Sequence, residues 1–267
     1  MLLVIDIGNS NVTLGVFRGQ DLVVLWRLRT EVHRTADEYA VLLKSLLAGH
    51  GLSVSEIKDA VVASVVPTLV STFQDAISRH LNIEPLVVEV GIKTGVRICT
   101  DNPREVGADR ICNTLAAYHL YGGPAIVIDF GTATTFDVVS EEGDYLGGAI
   151  APGIELALEA LFSHAAKLPM VELTRPKHAI GKNTDTSMQS GLVFGYIGLV
   201  EGIVRRIKKE LGGRARVIAT GGLAELIVKE SPIVEVANPQ LTLVGLRLIH
   251  ELNRGRQGAD AGGPESR

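Results

Sequence analysis

The 267-residue chain contains only two cysteines, Cys99 and Cys112, and they do not form a recognisable site. Their spacing matches neither a metal-binding motif nor the framework of a disulfide-stabilised domain. We therefore expect two reduced, structurally buried thiols and a cytoplasmic protein, because reducing compartments keep such thiols free.

Runs of basic residues are also absent. The chain has 26 Lys and Arg against 30 Asp and Glu, mixed along its length, and a formal net charge of −4. Proteins that bind nucleic acid usually concentrate basic residues on one face or in one segment. The sequence therefore predicts no nucleic acid partner.

No apolar run is long enough to predict a membrane span. The longest uncharged stretch, residues 111–128, is interrupted by Asn113, His119 and a Gly-Gly-Pro break at 122–124. This pattern predicts a helix, a turn and a strand. No basic segment precedes the first apolar strand, so we expect neither a signal peptide nor a membrane partner. Aromatic residues are scarce and aliphatic residues abundant, which is typical of a well-buried α/β core.

Two apolar segments, one in each half of the chain, end in Asp-x-Gly followed by small polar residues. They are Asp6-Ile7-Gly8-Asn9-Ser10-Asn11 and Asp129-Phe130-Gly131-Thr132-Ala133-Thr134. A carboxylate at a strand end can hold a metal ion or a water at a triphosphate. The glycine lets backbone N–H groups approach phosphate oxygens. Two such hairpins facing each other would hold one nucleotide between two domains.

A single Asp-x-Gly after a strand is most often an ordinary turn. Here both copies lead into a second strand-like segment, which favours the nucleotide-binding interpretation. A third element, residues 215–223, has the pattern of a strand, a Gly221-Gly222 turn and the start of a helix. The glycine pair would permit close packing against adenosine, and the alternative is an ordinary strand-to-helix connection.

The order of predicted elements indicates a repeated α/β unit. Thr35 and Glu38 have the spacing of a capping box at the start of a helix, and Gly122-Gly123-Pro124 separates the two halves. We predict an N-terminal domain at 1–121, a C-terminal domain at 122–253 and a disordered polar tail at 254–267.

The segment Asn102-Pro103-Arg104-Glu105-Val106-Gly107-Ala108-Asp109-Arg110 carries the most specific chemistry. Asp109 and Arg110 would lie at a helix amino terminus, where N–H groups favour anions. A carboxylate beside a guanidinium offers a proton acceptor next to a group that binds carboxylates. The alternative from the residues alone is a helix-starting Asp with a surface Arg.

The two hairpins resemble those of the superfamily of acetate kinase, sugar kinases, Hsp70 and actin. Together with the 102–110 segment, in this order and spacing, they are similar to those of the type III pantothenate kinases, also called the Bvg accessory factor family. The resemblance runs from residue 1 to about 250. It implies a duplicated ribonuclease H-like (actin-like ATPase) fold with mixed sheets and a nucleotide cleft between the domains. It further implies ATP-dependent phosphorylation of pantothenate to 4'-phosphopantothenate, the first step of coenzyme A biosynthesis, with Mg²⁺, a monovalent cation (potassium or ammonium) and a homodimer.

The resemblance also implies a role for individual residues. Asp109 would be the general base on the pantothenate hydroxyl, Asp6 would organise Mg²⁺ and the phosphates, and Asp129 would bind the monovalent cation. The residues implied for ATP binding are Asp6, Gly8, Asn9, Ser10, Asn11, Thr132, Gly221 and Gly222. Those implied for substrate binding are Gly107, Ala108, Asp109, Arg110 and Thr184.

One position departs from the family pattern. Many members carry a Tyr where this chain has Thr100, and they use it on the substrate, so that contact is absent or replaced here. The alternatives are another small-molecule kinase of the same superfamily, or a nucleotide-binding regulator without catalysis. The chain has no Gly-x-x-x-x-Gly-Lys-Ser/Thr loop, which disfavours a P-loop kinase.

The sequence also predicts a long helix at 185–211 with glycines on one face, at 191, 195, 198 and 202. Each glycine costs roughly 1 kcal/mol against alanine inside a helix. Four on one face predict the close approach of another backbone, either from the same domain or from a second subunit.

Overall fold

A computed structural model describes residues 1–254, except for the side chains of residues 225 and 226. The chain forms two compact units, and each contains one five-stranded sheet. The first unit contains residues 1–96, 101–116 and the described residues from 241 onward, and the second contains 97–100 and 117–240. Apart from Arg254, the predicted disordered tail at 254–267 lies outside the described residues.

The first sheet has the strand order β3-β2-β1-β4-β5. β1 pairs antiparallel with β2 and parallel with β4, so the sheet is mixed. Its strands are β1 (Leu2–Ile7), β2 (Asn11–Arg18), β3 (Asp21–Arg29), β4 (Asp59–Ser64) and β5 (Leu86–Val87).

The second sheet repeats this topology with the order β10-β9-β6-β7-β8. β6 pairs antiparallel with β7 and parallel with β9, as β1 does with β2 and β4. This identity of topology confirms the repeated unit and the mixed α/β fold predicted from the two hairpins. The strands are β6 (Ala125–Phe130), β7 (Ala133–Val139), β8 (Tyr145–Pro152), β9 (Arg216–Gly221) and β10 (Val236–Ala237).

Seven α-helices lie in the described part of the chain. They are α1 (Ala36–Gly49), α2 (Pro67–Leu81), α3 (Ala108–Tyr121), α4 (Ile154–His164), α5 (Thr184–Glu210), α6 (Ala224–Glu230) and α7 (Leu241–Asn253). The predicted capping box starts α1, where the Thr35 hydroxyl accepts the Glu38 N–H and the Glu38 carboxylate accepts the Thr35 N–H. Pro67 is the first residue of α2, where its missing N–H costs nothing.

The two faces of β1 belong to different cores because side chains alternate along a strand. Leu3, Ile5 and Ile7 pack in the core that contains α1 and α2. Leu2 and Val4 pack in a second cluster with residues of α3 and α7. The first sheet is therefore covered by helices on both faces.

Helix α7 lies in the first unit, whereas the sequence-based division placed residues 241–253 in the second domain. Leu243, Leu246 and Ile249 of α7 are buried against β1 and β4, which explains the difference. Cys99 also differs from expectation, because it is exposed in an edge segment that pairs through its backbone with Tyr145. Cys112 is fully buried, as predicted.

In the second unit, α5 provides a row of core side chains at intervals of four residues. These are Met188, Leu192, Tyr196, Val200 and Val204. By length and composition α5 is the one described helix that could also span a membrane. The row of buried residues instead makes α5 a component of the second core.

Candidate active site

The first hairpin turn, residues 8–11, is held by backbone hydrogen bonds and by Thr30. The N–H of Gly8 donates to the carbonyl of Asn11 at 2.9 Å. The Thr30 hydroxyl donates to the carbonyl of Gly8 at 2.7 Å, and the Thr30 N–H donates to the carbonyl of Ser10 at 3.0 Å. Asn9, Ser10 and Asn11 are exposed on this turn. Their side chains and the local N–H groups can therefore meet an anion.

Thr30 was not predicted from the sequence. It follows β3 directly, and β3 pairs with β2 so that Arg29 lies opposite Asn11. The pairing of these two strands brings Thr30 to the turn. No local sequence signal marks that contact.

Asp6 is the half-buried carboxylate of β1. It lies opposite Thr13 of β2 and Ala63 of β4. Alternation along the strand places it on the same face as Leu2 and Val4, which is the face covered by α3 and α7.

Asp109 lies in the first turn of α3, and its carboxylate folds back over Gly107. Its Oδ1 accepts the N–H of Arg110 at 2.8 Å. A Cβ atom at position 107 would lie 2.4 Å from this oxygen, so glycine is required for the carboxylate to occupy this place. Val65, just after β4, contacts the same point. Gly107, Asp109 and Arg110 therefore form one local group at the start of α3.

Burial raises the pKa of the Asp109 carboxyl above its ordinary value. The Arg110 N–H and the Arg110 charge oppose this change. A carboxylate with a raised pKa accepts a proton more readily than an exposed one, which suits a general base. Ala108 and Arg110 are both half-buried beside it.

The Cys112 thiol is a shared neighbour of Asp6 and Asp109. Burial raises the pKa of this thiol well above its ordinary value, and the charges of both carboxylates raise it further. The thiol is therefore neutral. Because both the Asp6 and the Asp109 charges raise the pKa of this thiol, both carboxylates lie near it. β1 and the first turn of α3 therefore bring the two carboxylates to one region of the first unit.

The second hairpin gathers Asp129, Gly131, Thr132 and Gly221. A Cβ at Gly221, whose φ is +87°, would lie 2.6 Å from the Asp129 Oδ1. The N–H of Gly222 donates to the carbonyl of Phe130 at 3.2 Å, so the whole Gly221-Gly222 turn lies against the end of β6. The strand, glycine turn and helix predicted at 215–223 are confirmed as β9, residues 222–223 and α6.

Gly153, which precedes α4, is a further component of this second group that the sequence analysis did not identify. Its N–H donates to the carbonyl of Thr132 at 3.0 Å. A Cβ at Gly153 would lie 2.4 Å from the same carbonyl oxygen. The carbonyls of Gly131 and Thr132 are thus covered by the chain that enters α4.

Thr184 is the first residue of α5 and is exposed. The Asn183 side chain caps the helix by accepting the Thr186 N–H at 2.8 Å. Thr184 lines a cavity of about 540 Å³ together with Leu161, Leu168, Ser187, Met188, Gly191 and Leu192. The structure therefore places Thr184 on a different element from either hairpin group.

The face of α5 that carries the glycines is open. A Cβ built at Gly191, Gly195 or Gly198 would meet no atom within 4 Å. A Cβ at Gly202 would meet only Arg206 of the same helix. Within the described chain, no other backbone approaches this face, so packing inside the same domain does not explain the glycines.

Among residues 1–254, no group of three or more His, Cys, Asp and Glu side chains could hold a metal ion. Asp6 and Asp129 each supply a single carboxylate at a hairpin. The single carboxylate of Asp6 fits Mg²⁺ that is bound mainly by substrate phosphates and water, because Mg²⁺ often uses only one or two protein carboxylates.

Two sheets of identical topology, each with an Asp-x-Gly hairpin, define the fold of the actin-like ATPases and sugar kinases. A protein of the Baf family of transcriptional activators from Campylobacter jejuni has this fold, with a TM-score of 0.60 and 20% identity over 95% of this chain and 99% of its own. The activator of 2-hydroxyisocaproyl-CoA dehydratase from Clostridium difficile has it too, with a TM-score of 0.53 and 13% identity over 100% and 99% of the chains. At these identities the likeness concerns the fold alone.

Sequence comparison narrows this class to one family. The model of the type III pantothenate kinase family matches residues 2–206. A type III pantothenate kinase from Moorella thermoacetica is 55% identical over 253 residues, which cover 95% of this chain and all of that protein. The chain belongs to the type III pantothenate kinase family, whose members are kinases that use ATP and a divalent metal.

Proposed function

We propose that this protein transfers the γ-phosphoryl group of ATP to the primary hydroxyl of pantothenate, with Asp109 as the general base. ATP-dependent phosphorylation of pantothenate is the activity of the family, and it begins coenzyme A biosynthesis. The single observation that supports the assignment of the base is the half-buried Asp109 carboxylate, held over Gly107 with a raised pKa.

In this proposal the Asp109 carboxylate accepts the proton of the hydroxyl as its oxygen attacks phosphorus. The bond from the γ-phosphorus to the bridging oxygen breaks, and ADP leaves with that oxygen. Arg110, beside the base, binds the carboxylate of pantothenate. Gly107 and Ala108 line the same place. The transfer itself needs positioning and charge neutralisation more than covalent chemistry from the protein.

The first hairpin would bind the phosphates of ATP. Asn9, Ser10 and Asn11 are exposed on a turn that Thr30 holds in place, and Gly8 allows the turn to close. Asp6 would hold Mg²⁺, directly or through water. When bound, Mg²⁺ neutralises phosphate charge.

The second hairpin would bind the rest of the nucleotide and the monovalent cation, potassium or ammonium. Asp129 lies beside the Gly221-Gly222 turn, and a carboxylate near phosphate oxygens is repulsive unless a cation lies between them. Thr132 would contact the nucleotide, and Gly221 and Gly222 would seat the adenosine.

We further propose a cytoplasmic homodimer whose interface includes the open glycine face of α5. That face has no partner within the described chain. Its Gly191 borders the cavity that Thr184 lines, so a second subunit there would cover a pantothenate contact made by Thr184.

The test is ADP release by wild-type enzyme and by Asp109→Asn, on addition of pantothenate, with glucose and acetate as control substrates. We expect turnover with pantothenate alone. We expect Asp109→Asn to fold normally and to lose about 10²–10⁴-fold in kcat, the contribution of a positioned base. Retention of more than about a tenth of wild-type kcat at saturating pantothenate would remove Asp109 from this role.

A further inference from the structure

Helix α7 approaches α3 closely enough for its backbone to contact the backbone of α3. A Cβ at Gly245 of α7 would lie 2.1 Å from the carbonyl oxygen of Cys112 and 2.7 Å from its Cα. Both residues are buried. The two helices can therefore reach this distance only because residue 245 has no side chain.

A second contact one turn away fixes the same pair of helices. The Thr242 hydroxyl donates to the side-chain oxygen of Asn113 at 2.8 Å. Asn113 is the residue after Cys112 and is 1% exposed. One turn of α7 thus holds two successive residues of α3.

These contacts are made by the turn of α3 that follows the proposed base, Asp109. Cys112 and Asn113 are three and four residues after Asp109, so they are stacked on the first turn of α3. On its other side, α7 packs on β1, because Leu243, Leu246 and Ile249 share a cluster with Leu2 and Val4. Helix α7 therefore touches both the strand that carries Asp6 and the helix that carries Asp109.

We propose that Gly245 is a positioning residue for phosphoryl transfer. Because it has no side chain, α7 can pack closely against α3, and this packing fixes the position of Asp109 relative to Asp6. A side chain at position 245 would push α3 away from α7, since close-packed interiors transmit such strain. The first turn of α3 would shift, although no group that contacts substrate would be removed. The inference rests on the proposed role of Asp109.

The test is Gly245→Ala in the full-length enzyme, assayed at saturating ATP and pantothenate. We expect kcat to fall by about ten- to a hundredfold, since a misplacement of about 1 Å can cost a hundredfold. The KM for ATP should stay within about twofold, because the proposed ATP-binding residues lie outside α3, whereas the KM for pantothenate should rise because Arg110 moves with the same turn. Hydrogen exchange at the Arg110 amide, which donates to Asp109, should become faster.

The matched control is Leu47→Ala, a buried residue of α1 on the opposite face of the first sheet. It should lower the melting temperature while kcat stays at the wild-type value. A wild-type kcat in Gly245→Ala, or an equal kcat loss in Leu47→Ala, would overturn the positioning role.

Two further variants keep the outcome decisive. If Gly245→Ala does not fold, Thr242→Val removes the second contact without adding volume, and kcat should fall by about three- to tenfold, the size expected for one lost hydrogen bond. An unchanged kcat in that variant would overturn the inference.

Measuring Asp109→Asn in the same assay separates the positioning role of Gly245 from the proposed role of Asp109 as the base. An inactive Asp109→Asn with a fully active Gly245→Ala refutes only the positioning role, whereas an active Asp109→Asn refutes the base on which both depend.

Discussion

Gly107→Ala, next to the proposed base, should lower kcat while leaving the stability of the fold almost unchanged. The added Cβ would lie 2.4 Å from the Asp109 Oδ1 and 3.6 Å from the nearest atom of Val65. The second distance is an ordinary contact, so only the carboxylate has to move, by roughly 1 Å. Such a shift of a reacting group can cost about a hundredfold in rate. We therefore expect kcat to fall by about a hundredfold. It should not fall below the kcat of Asp109→Asn, in which the base itself is removed.

Stability should barely change in the same variant. Gly107 does not have a positive φ, so alanine can adopt its backbone conformation. Replacing glycine at such a position usually stabilises by about 0.4–1 kcal/mol through the unfolded state, which offsets the cost of moving one short side chain. The melting temperature should stay within about 4 °C of wild type.

The assays are ADP release under saturating substrates and thermal unfolding by circular dichroism. Gly49→Ala is the matched control, because a Cβ at the end of α1 meets nothing within 4 Å. It should leave kcat unchanged and raise the melting temperature slightly, since alanine is favoured over glycine in a helix. If Gly107→Ala retains more than about a third of wild-type kcat, the Asp109 carboxylate does not act from the position over Gly107, and the reasoning fails.

Four other predictions concern charge, cations, assembly and a buried hydroxyl. Because burial raises the pKa of Asp109 in the fold, ionisation of this carboxyl destabilises the native state as pH rises from about 3.8. Asp109→Asn lacks this carboxyl, so its free energy of unfolding, measured by denaturant titration, should exceed that of wild type by more at pH 7 than at pH 3.5. Replacing potassium by tetramethylammonium at constant ionic strength should abolish turnover, and unchanged rates there, or full activity in Asp129→Ala, would refute the cation site. Gly195→Leu and Gly198→Leu should sediment as folded monomers with weakened pantothenate binding, whereas variants that remain dimeric would exclude this face as the interface. The buried Thr100 Oγ1 has no hydrogen-bond partner in the described chain, so Thr100→Val should raise the free energy of unfolding by about 1 kcal/mol. If the variant instead raises the KM for pantothenate, the hydroxyl is assigned to a contact with substrate.

Local patterns predicted the elements that carry the candidate site. Each Asp-x-Gly segment forms the predicted hairpin, because a continuous apolar run, a glycine turn and a second strand-like segment specify two adjacent antiparallel strands. The long helix predicted at 185–211 is α5 at Thr184–Glu210. The capping box at Thr35 formed because its two partners are only three residues apart.

Contacts between distant segments could not be predicted in this way. Thr30 reaches the first hairpin turn through the pairing of β3 with β2. Gly221 reaches Asp129 because β9, which is distant from β6 in the sequence, pairs with it. Gly153 precedes α4 and Gly245 lies inside α7, and no local sequence signal marks the backbone contacts that these two glycines make. In each case the reason is an atom that belongs to another element.

The sequence by itself determined the repeated α/β unit, the two hairpins, the family and the identity of the candidate site residues, because these depend on local periodicity and on short motifs. Only the tertiary structure decided that α7 belongs to the first unit, that the Asp109 carboxylate lies over Gly107, and that Asp6 and Asp109 share the Cys112 thiol as a neighbour. These facts depend on strand register and helix packing. Such contacts join residues far apart in the chain, and the free energy of burial that selects them depends on the whole core rather than on any short segment.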